Sequence, residues 1–295
     1  MIGRRTWTRP TSIAVLVVVY GVALGAGYLV AEAMVGHGVL WALLAADVAA
    51  TIVVFLAAVA LNNTSVYDPY WSVAPLALAL WWFANPDGAD ASGPLRFALT
   101  AAVLGLWGLR LTANFLRGWR GLNHEDWRYT AYRRHGLIRY WPISLSGLQL
   151  MPTLLVFGAM LPVYALTRDP GAAVGWLDGL AAVVALAALA LESVADEQRY
   201  HFTASPGDAD FIRSGVWAWS RHPNYLGEVA FWWGIFLFGL AAGGGNAWTV
   251  IGAVAMTALF WFVSIPLMER RMRQRRPGYP AYAERVPRLF PRVPR

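Results

Sequence analysis

The chain has 295 residues and a net charge of +7, with 58% hydrophobic residues against 14% charged. A soluble domain spends about a quarter of its residues on charge, so a fully water-facing surface is excluded and several membrane-crossing helices are expected. Cysteine and lysine are both absent, which excludes disulfides, thiolate chemistry and Schiff-base or Walker-type lysines, and leaves arginine as the sole cationic fork.

Apolar runs near the length that crosses a hydrocarbon core fall at about 11–35, 38–61, 70–84, 95–117, 144–167, 174–195, 225–241 and 247–268. They predict an all-α polytopic membrane bundle of seven to eight transmembrane helices, read as a single membrane domain over 1–295. Residues 1–60 form N-terminal helices and 61–295 the core. The first run follows Arg4, Arg5 and Arg9 without a cleavage site before a polar region, so it reads as an anchor and not a removed signal peptide. The run at 70–84 is short and either spans or re-enters. An N-terminus in the cytoplasm leaves Arg168 in the outer loops and Arg96 just inside the next helix, with nearly all other arginines inside. That asymmetry predicts both termini in the cytoplasm. Gly243-Gly244-Gly245 reads as a tight outer turn.

Four polar clusters interrupt the apolar pattern. Arg110, Asn114 and Arg117 recur at i, i+4 and i+7 on one face of the helix 95–117, which must meet a partner, a water-filled cavity or, for Arg117, the lipid headgroups. Glu192, Asp196 and Arg199 repeat that spacing at the end of the sixth run, where Asp196 and Arg199 suit either an internal ion pair or a ligand. The third cluster is Ser220-Arg221-His222-Pro223-Asn224-Tyr225-Leu226-Gly227-Glu228, in which Pro223 opens a helix whose free N–H groups favour an anion. Asn224 alone is explained as a cap; Arg221, His222, Tyr225 and Glu228 beside it are not. The fourth runs from Asn62 to Trp71, with Asp68 and Pro69 readable as ordinary helix-starting residues. A basic tail, with Glu269, Tyr279 and Tyr282 among its arginines, suits lipid headgroups.

The five histidines, His37, His124, His135, His201 and His222, have no metal-binding spacing, so no metal site is expected. No glycine-rich nucleotide fingerprint is present either. The basic balance follows from membrane asymmetry, and nucleic acid is not expected as a partner.

SRHPNYLGE at 220–228, followed by MERRMRQRRPGYPAYAERVPRLFP at 268–291, resembles the C-terminal half of the steroid 5-alpha-reductase-like superfamily, which also holds isoprenylcysteine and phospholipid methyltransferases. YDPYW at 67–71 and RLTANFLRGWRG at 110–121 are similar to its DUF1295 branch. The resemblance runs from about residue 60 to the end and implies a cofactor cavity open to the cytoplasm, with a lipid-like substrate entering from the membrane. It implies NADPH as cofactor, with Arg110, Asp196, Asn224 and Glu228 at matching positions; Asn114, Arg117, Arg199, Arg221, His222, Tyr225, Glu269, Tyr279 and Tyr282 from the polar clusters are the further candidates for the cofactor pocket, and in the methyltransferase alternative His222, Asn224 and Glu269 would enclose S-adenosylmethionine. Tyr67 and Asp68 match a pair whose carboxyl meets an enone oxygen, and Trp107 stands where the reductases carry a tyrosine. His222 and Pro223 belong to the methyltransferase-like pattern.

The function so implied is hydride transfer from NADPH to the conjugated C=C of a lipid enone. The alternatives are methylation by S-adenosylmethionine and non-catalytic lipid binding. Membrane lipids are the other expected partners, and the sequence leaves the oligomeric state open.

Overall fold

The computed structural model describes residues 7–85, 94–134, 136–168, 173–205 and 210–291, which include every candidate site residue named above. His135 and most of the loops near 85–94 and 168–173, expected on the outer side, lie outside the described residues.

Helices account for the regular structure among the described residues. They are α1 (Arg9–Met34), α2 (Val39–Leu61), α3 (Tyr70–Ala84), α4 (Pro94–Gly118), α5 (Trp127–Arg133), α6 (Leu137–Ile143), α7 (Met151–Ala159), α8 (Leu161–Leu166), α9 (Trp176–Ala204), α10 (Pro223–Ala242), α11 (Val250–Leu259), α12 (Ile265–Arg275) and α13 (Tyr279–Arg285). Wider π-type turns join α6 to α7 over Ser144–Leu150 and α11 to α12 over Phe260–Ser264.

Among the described residues, seven stretches are long and apolar enough to cross a membrane: Arg9–His37, Val39–Leu61, Leu95–Gly118, Leu137–Leu166, Trp176–Ala204, Pro223–Ala242 and Gly244–Arg275. The chain is therefore a multi-pass membrane protein. The short run forms α3, whose 15 residues reach about 22 Å at 1.5 Å per residue, short of a hydrocarbon core of about 30 Å. Three runs extend beyond their apolar limits. The fifth begins at Leu137, because the aromatic residues Tyr140 and Trp141 continue the helix before the purely apolar part starts. The sixth continues to Ala204 and the last to Arg275, since a helix that leaves the hydrocarbon keeps its backbone bonds while its side chains turn polar.

The chain packs as two compact units, the first from 1–91 and 104–160, the second from 92–103 and 161–295. In the first unit, α2 ends on Asn62 in the left-handed conformation (φ 51°). The next residues are stitched to the segment before α5. Asn63 donates to the carbonyls of Leu122 and His124 (2.9 and 3.0 Å), Thr64 N–H donates to Glu125 (2.7 Å), and Arg133 grips Glu125 (2.6 Å) and Asn62 (2.7 Å). These bonds satisfy a turn that would otherwise bury bare polar backbone, and they fix Tyr67 and Asp68 beside it.

In the second unit α9 and α10 lie in close contact. A Cβ at Gly227 would collide with Glu192 Cγ and stand 2.9 Å from the Ala188 carbonyl oxygen, and one at Gly234 would come within 3.0 Å of Ala185 backbone. Arg96 and Asp178, 1% and 2% exposed, form an ion pair at 2.6 Å between the starts of α4 and α9. Gly243 is extended (φ 174°), and a 3-10 turn follows at Gly244–Thr249.

Candidate functional site

The second unit contains a cavity of about 220 Å³, walled by the end of α9, the start of α10, and the helices α12 and α13. Arg199, Arg221, His222, Asn224, Tyr225, Tyr279 and Tyr282 all line it. Pro223 supplies the first helical residue of α10, where a missing N–H costs nothing. His222 holds the cap position without a capping bond, so Asn224 sits inside the helix and is not its cap.

The basic tail folds back on this segment. Ser220 Oγ donates to the Leu289 carbonyl (2.7 Å), Arg221 N–H donates to the Pro287 carbonyl (3.0 Å), and Tyr282 donates to the Trp217 carbonyl (2.5 Å). Glu269, only 6% exposed, meets Arg221 Nη2 at 2.8 Å, His222 Nε2 at 3.4 Å and Arg288 Nε at 4.0 Å. Glu269 thus braces the wall of the cavity from behind. His222 stacks on Tyr225, with ring centroids 5.4 Å apart and planes 6° apart. Burial holds the His222 pKa below the ordinary imidazole value, and the Arg221 and Arg288 charges add to that lowering against the upward pull of Glu269. His222 is therefore neutral at pH 7.

Tyr279 is the least satisfied group at this site. It is 3% exposed, lines the cavity, and its hydroxyl has no hydrogen-bond partner among the described residues. Burial pushes its pKa up to about 12, so it remains a neutral donor. Arg276 adds a third guanidinium to the wall, against one acid among the described residues there, Asp210, at 4.0 Å from it. Asp196 stands behind the wall, 3.4 Å from Arg199, which realises the ion-pair reading of that stripe. Glu228 is buried and accepts from the Trp232 indole (2.9 Å); it does not line the cavity.

The first unit holds the other candidate residues. Asp68 forms no capping bond to α3; its Oδ1 accepts from Tyr129 Oη at 2.5 Å, with Arg128 Nη2 at 3.5 Å. Burial raises the Asp68 pKa to about 6, against the opposing pull of Arg128 and the Tyr129 hydroxyl. Tyr67 shares a 2.9 Å bond with Thr153 Oγ1, which bonds in turn to Thr51 Oγ1 at 2.9 Å. Trp107 is wholly buried, edge-on to Trp71 at 5.7 Å. Arg110 and Asn114 are half-buried and Arg117 is exposed, on the C-terminal half of α4.

Sequence reasoning missed Tyr129 and Arg128, the partners of Asp68, as well as Phe211 and Arg276 in the second unit. The motif WRYTAYRR at 127–134 passed as an inner loop because it is too short and polar to register as a helix.

Over residues 54–286 the chain matches the model of DUF1295, a family of proteins of unknown function. The chain belongs to the DUF1295 family. An uncharacterized protein of Schizosaccharomyces pombe is 27% identical over 257 residues, covering 79% of this chain and 74% of the relative. No solved structure matches. The DUF1295 match takes in Asp68, Tyr129 and the whole cavity wall, and leaves out α1 and most of α2.

Proposed function

We propose that this DUF1295 protein is an NADPH-dependent membrane reductase that saturates the conjugated C=C of a lipid-like enone, with its active site on the cytoplasmic side. The observation that carries this reading is the cavity of the second unit, which Arg199, Arg221 and Arg276 line together with Tyr279, whose buried hydroxyl lacks a partner among the described residues. Guanidinium forks suit phosphate oxygens, and the α10 N-terminus adds its own preference for an anion.

At about 220 Å³ the cavity is smaller than the roughly 300–1,000 Å³ of a drug-sized site, so it suits one phosphate-bearing half of a dinucleotide. Arg199, Arg221 and Arg276 would hold phosphate, Asn224 an amide or ribose edge, and Tyr279 a phosphate or ribose oxygen. S-adenosylmethionine, cationic at sulfur and nitrogen, fits poorly against three arginines and one aspartate.

NADPH when bound supplies the hydride. The chain's own contribution is to orient the enone and answer the negative charge that gathers on its oxygen. Asp68 fits that task. With a pKa of about 6, roughly a tenth of the carboxyl groups are protonated at pH 7, and the protonated form donates a hydrogen bond to the enone oxygen. Tyr129 orients the carboxyl by donating to Oδ1.

The test is transfer of label. Protein in lipid vesicles, given NADPH deuterated at the transferable position and a panel of long-chain conjugated enones, should place deuterium on the β-carbon of at least one of them. The rate should rise as pH falls from 8 toward 6. Methyl transfer from S-adenosylmethionine with no deuterium in any enone would overturn the reading.

A further inference from the structure

A single acid stands inside the apolar run of α2. Asp47 is 5% exposed and lies more than two turns from the nearer end of a membrane-spanning helix. Its one bond among the described residues is from the Tyr70 hydroxyl to Oδ1, at a long 3.4 Å, and no basic side chain there stands within ion-pair distance of it. A carboxyl group at this depth is costly without a partner, so an acid inside a span marks a functional site by default.

Asp47 opens on a second cavity, of about 170 Å³, enclosed by α1, α2 and α3 within the first unit. Tyr28, Tyr70 and Trp81 are its aromatic lining. The Trp81 indole N–H is buried without an acceptor among the described residues, and Tyr28 is 55% exposed, so the cavity opens sideways to the surface of α1. The cavity therefore presents an acid without a cation, a donor without an acceptor, and three aromatic rings.

We propose that this cavity binds the head of a long-chain amino alcohol, with the ammonium on Asp47 and the hydroxyl oxygen on the Trp81 indole. An ammonium neutralises the acid where the low dielectric makes their attraction large, and aromatic faces add cation–π attraction. A neutral alcohol meets the indole but leaves the acid without a counter-charge. The volume, about 170 Å³, is below the roughly 300 Å³ at which whole drug-sized ligands fit, so the head enters and the hydrocarbon chain stays in the bilayer beside Tyr28. This site stands independently of the reductase reading, and Asp47 precedes the segment that matches DUF1295.

Full-length protein in nanodiscs of zwitterionic lipid tests it with radiolabelled sphinganine, corrected for binding to empty discs. Sphinganine should bind saturably, and its neutral N-acetyl derivative at least tenfold more weakly. Asp47→Asn should lose at least tenfold in sphinganine affinity and narrow the gap between the two probes, while Trp81→Phe should weaken both. Equal binding of the two probes to the native protein, or a signal no greater than that of empty discs, overturns the proposal. Because the probe comparison uses native protein, it decides the matter even where Asp47→Asn fails to fold.

Discussion

Asp68→Asn is expected to lower turnover of an enone substrate by at least a hundredfold, since a positioned acid contributes about 10²–10⁴ to such a step, while NADPH affinity stays within twofold. The substitution keeps the size of the side chain and an oxygen for the Tyr129 hydroxyl, but an amide has no acidic proton to share with the developing oxyanion. Stability should move the other way. Burial raises the Asp68 pKa from 3.8 to about 6, so the native state binds this proton more tightly than the unfolded chain. The stability cost of ionising Asp68 grows as pH rises from about 4 to about 6 and persists above, reaching about 3 kcal/mol for two pK units. The amide never pays it, so the melting temperature of Asp68→Asn at pH 7.5 should equal or exceed that of the native protein. Turnover and melting curves read together check both halves. A variant that turns over normally would reduce Asp68 to a structural partner of Tyr129.

Glu269→Ala is the second large effect. Glu269 is the shared counter-charge of Arg221, His222 and Arg288, and the Arg221 pair is about one-tenth exposed on each side. Removing one partner of a buried pair costs about 3–5 kcal/mol, because the other charge stays buried without compensation. Arg221 also donates to the Ala283 carbonyl at the end of α13, so the loss should spread to the folded tail and to Tyr279 and Tyr282. The expected result is a fall in melting temperature on the order of 10 °C, with NADPH binding lost. Arg285→Ala, an exposed arginine on α13, should leave the melting temperature within a degree or two. Equal effects from the two variants would show that Glu269 does not brace the cavity.

The helices were legible because each span needs about 20 apolar residues and this chain interrupts most of them with charge. Their ends were less so. α9 runs on through Glu192, Asp196 and Arg199 to Ala204, since a polar stripe stops the apolar run but not the backbone bonds. The contents of the cavity wall could be read from the cluster at 220–228 and the tail, whose residues are unusual for a membrane boundary. Their mutual contact could not: Ser220 meets Leu289 and Arg221 meets Glu269 across dozens of residues, and no local pattern encodes such a pairing. The same distance hid Tyr129 from Asp68, which lie 61 residues apart. Asp47 was legible, as an acid within an apolar run; it passes unnoticed when only clusters of polar residues are sought.

The central claim, that this protein binds NADPH, is tested most directly by thermal stability of the native protein in detergent with three nucleotides in turn. A ligand held only by the folded state stabilises it by about 2.7 kcal/mol at a hundred times its Kd. NADPH should raise the melting temperature by several degrees, NADH by less because it lacks the extra phosphate, and S-adenosylhomocysteine not at all. Stabilisation by S-adenosylhomocysteine with none by NADPH would contradict the account.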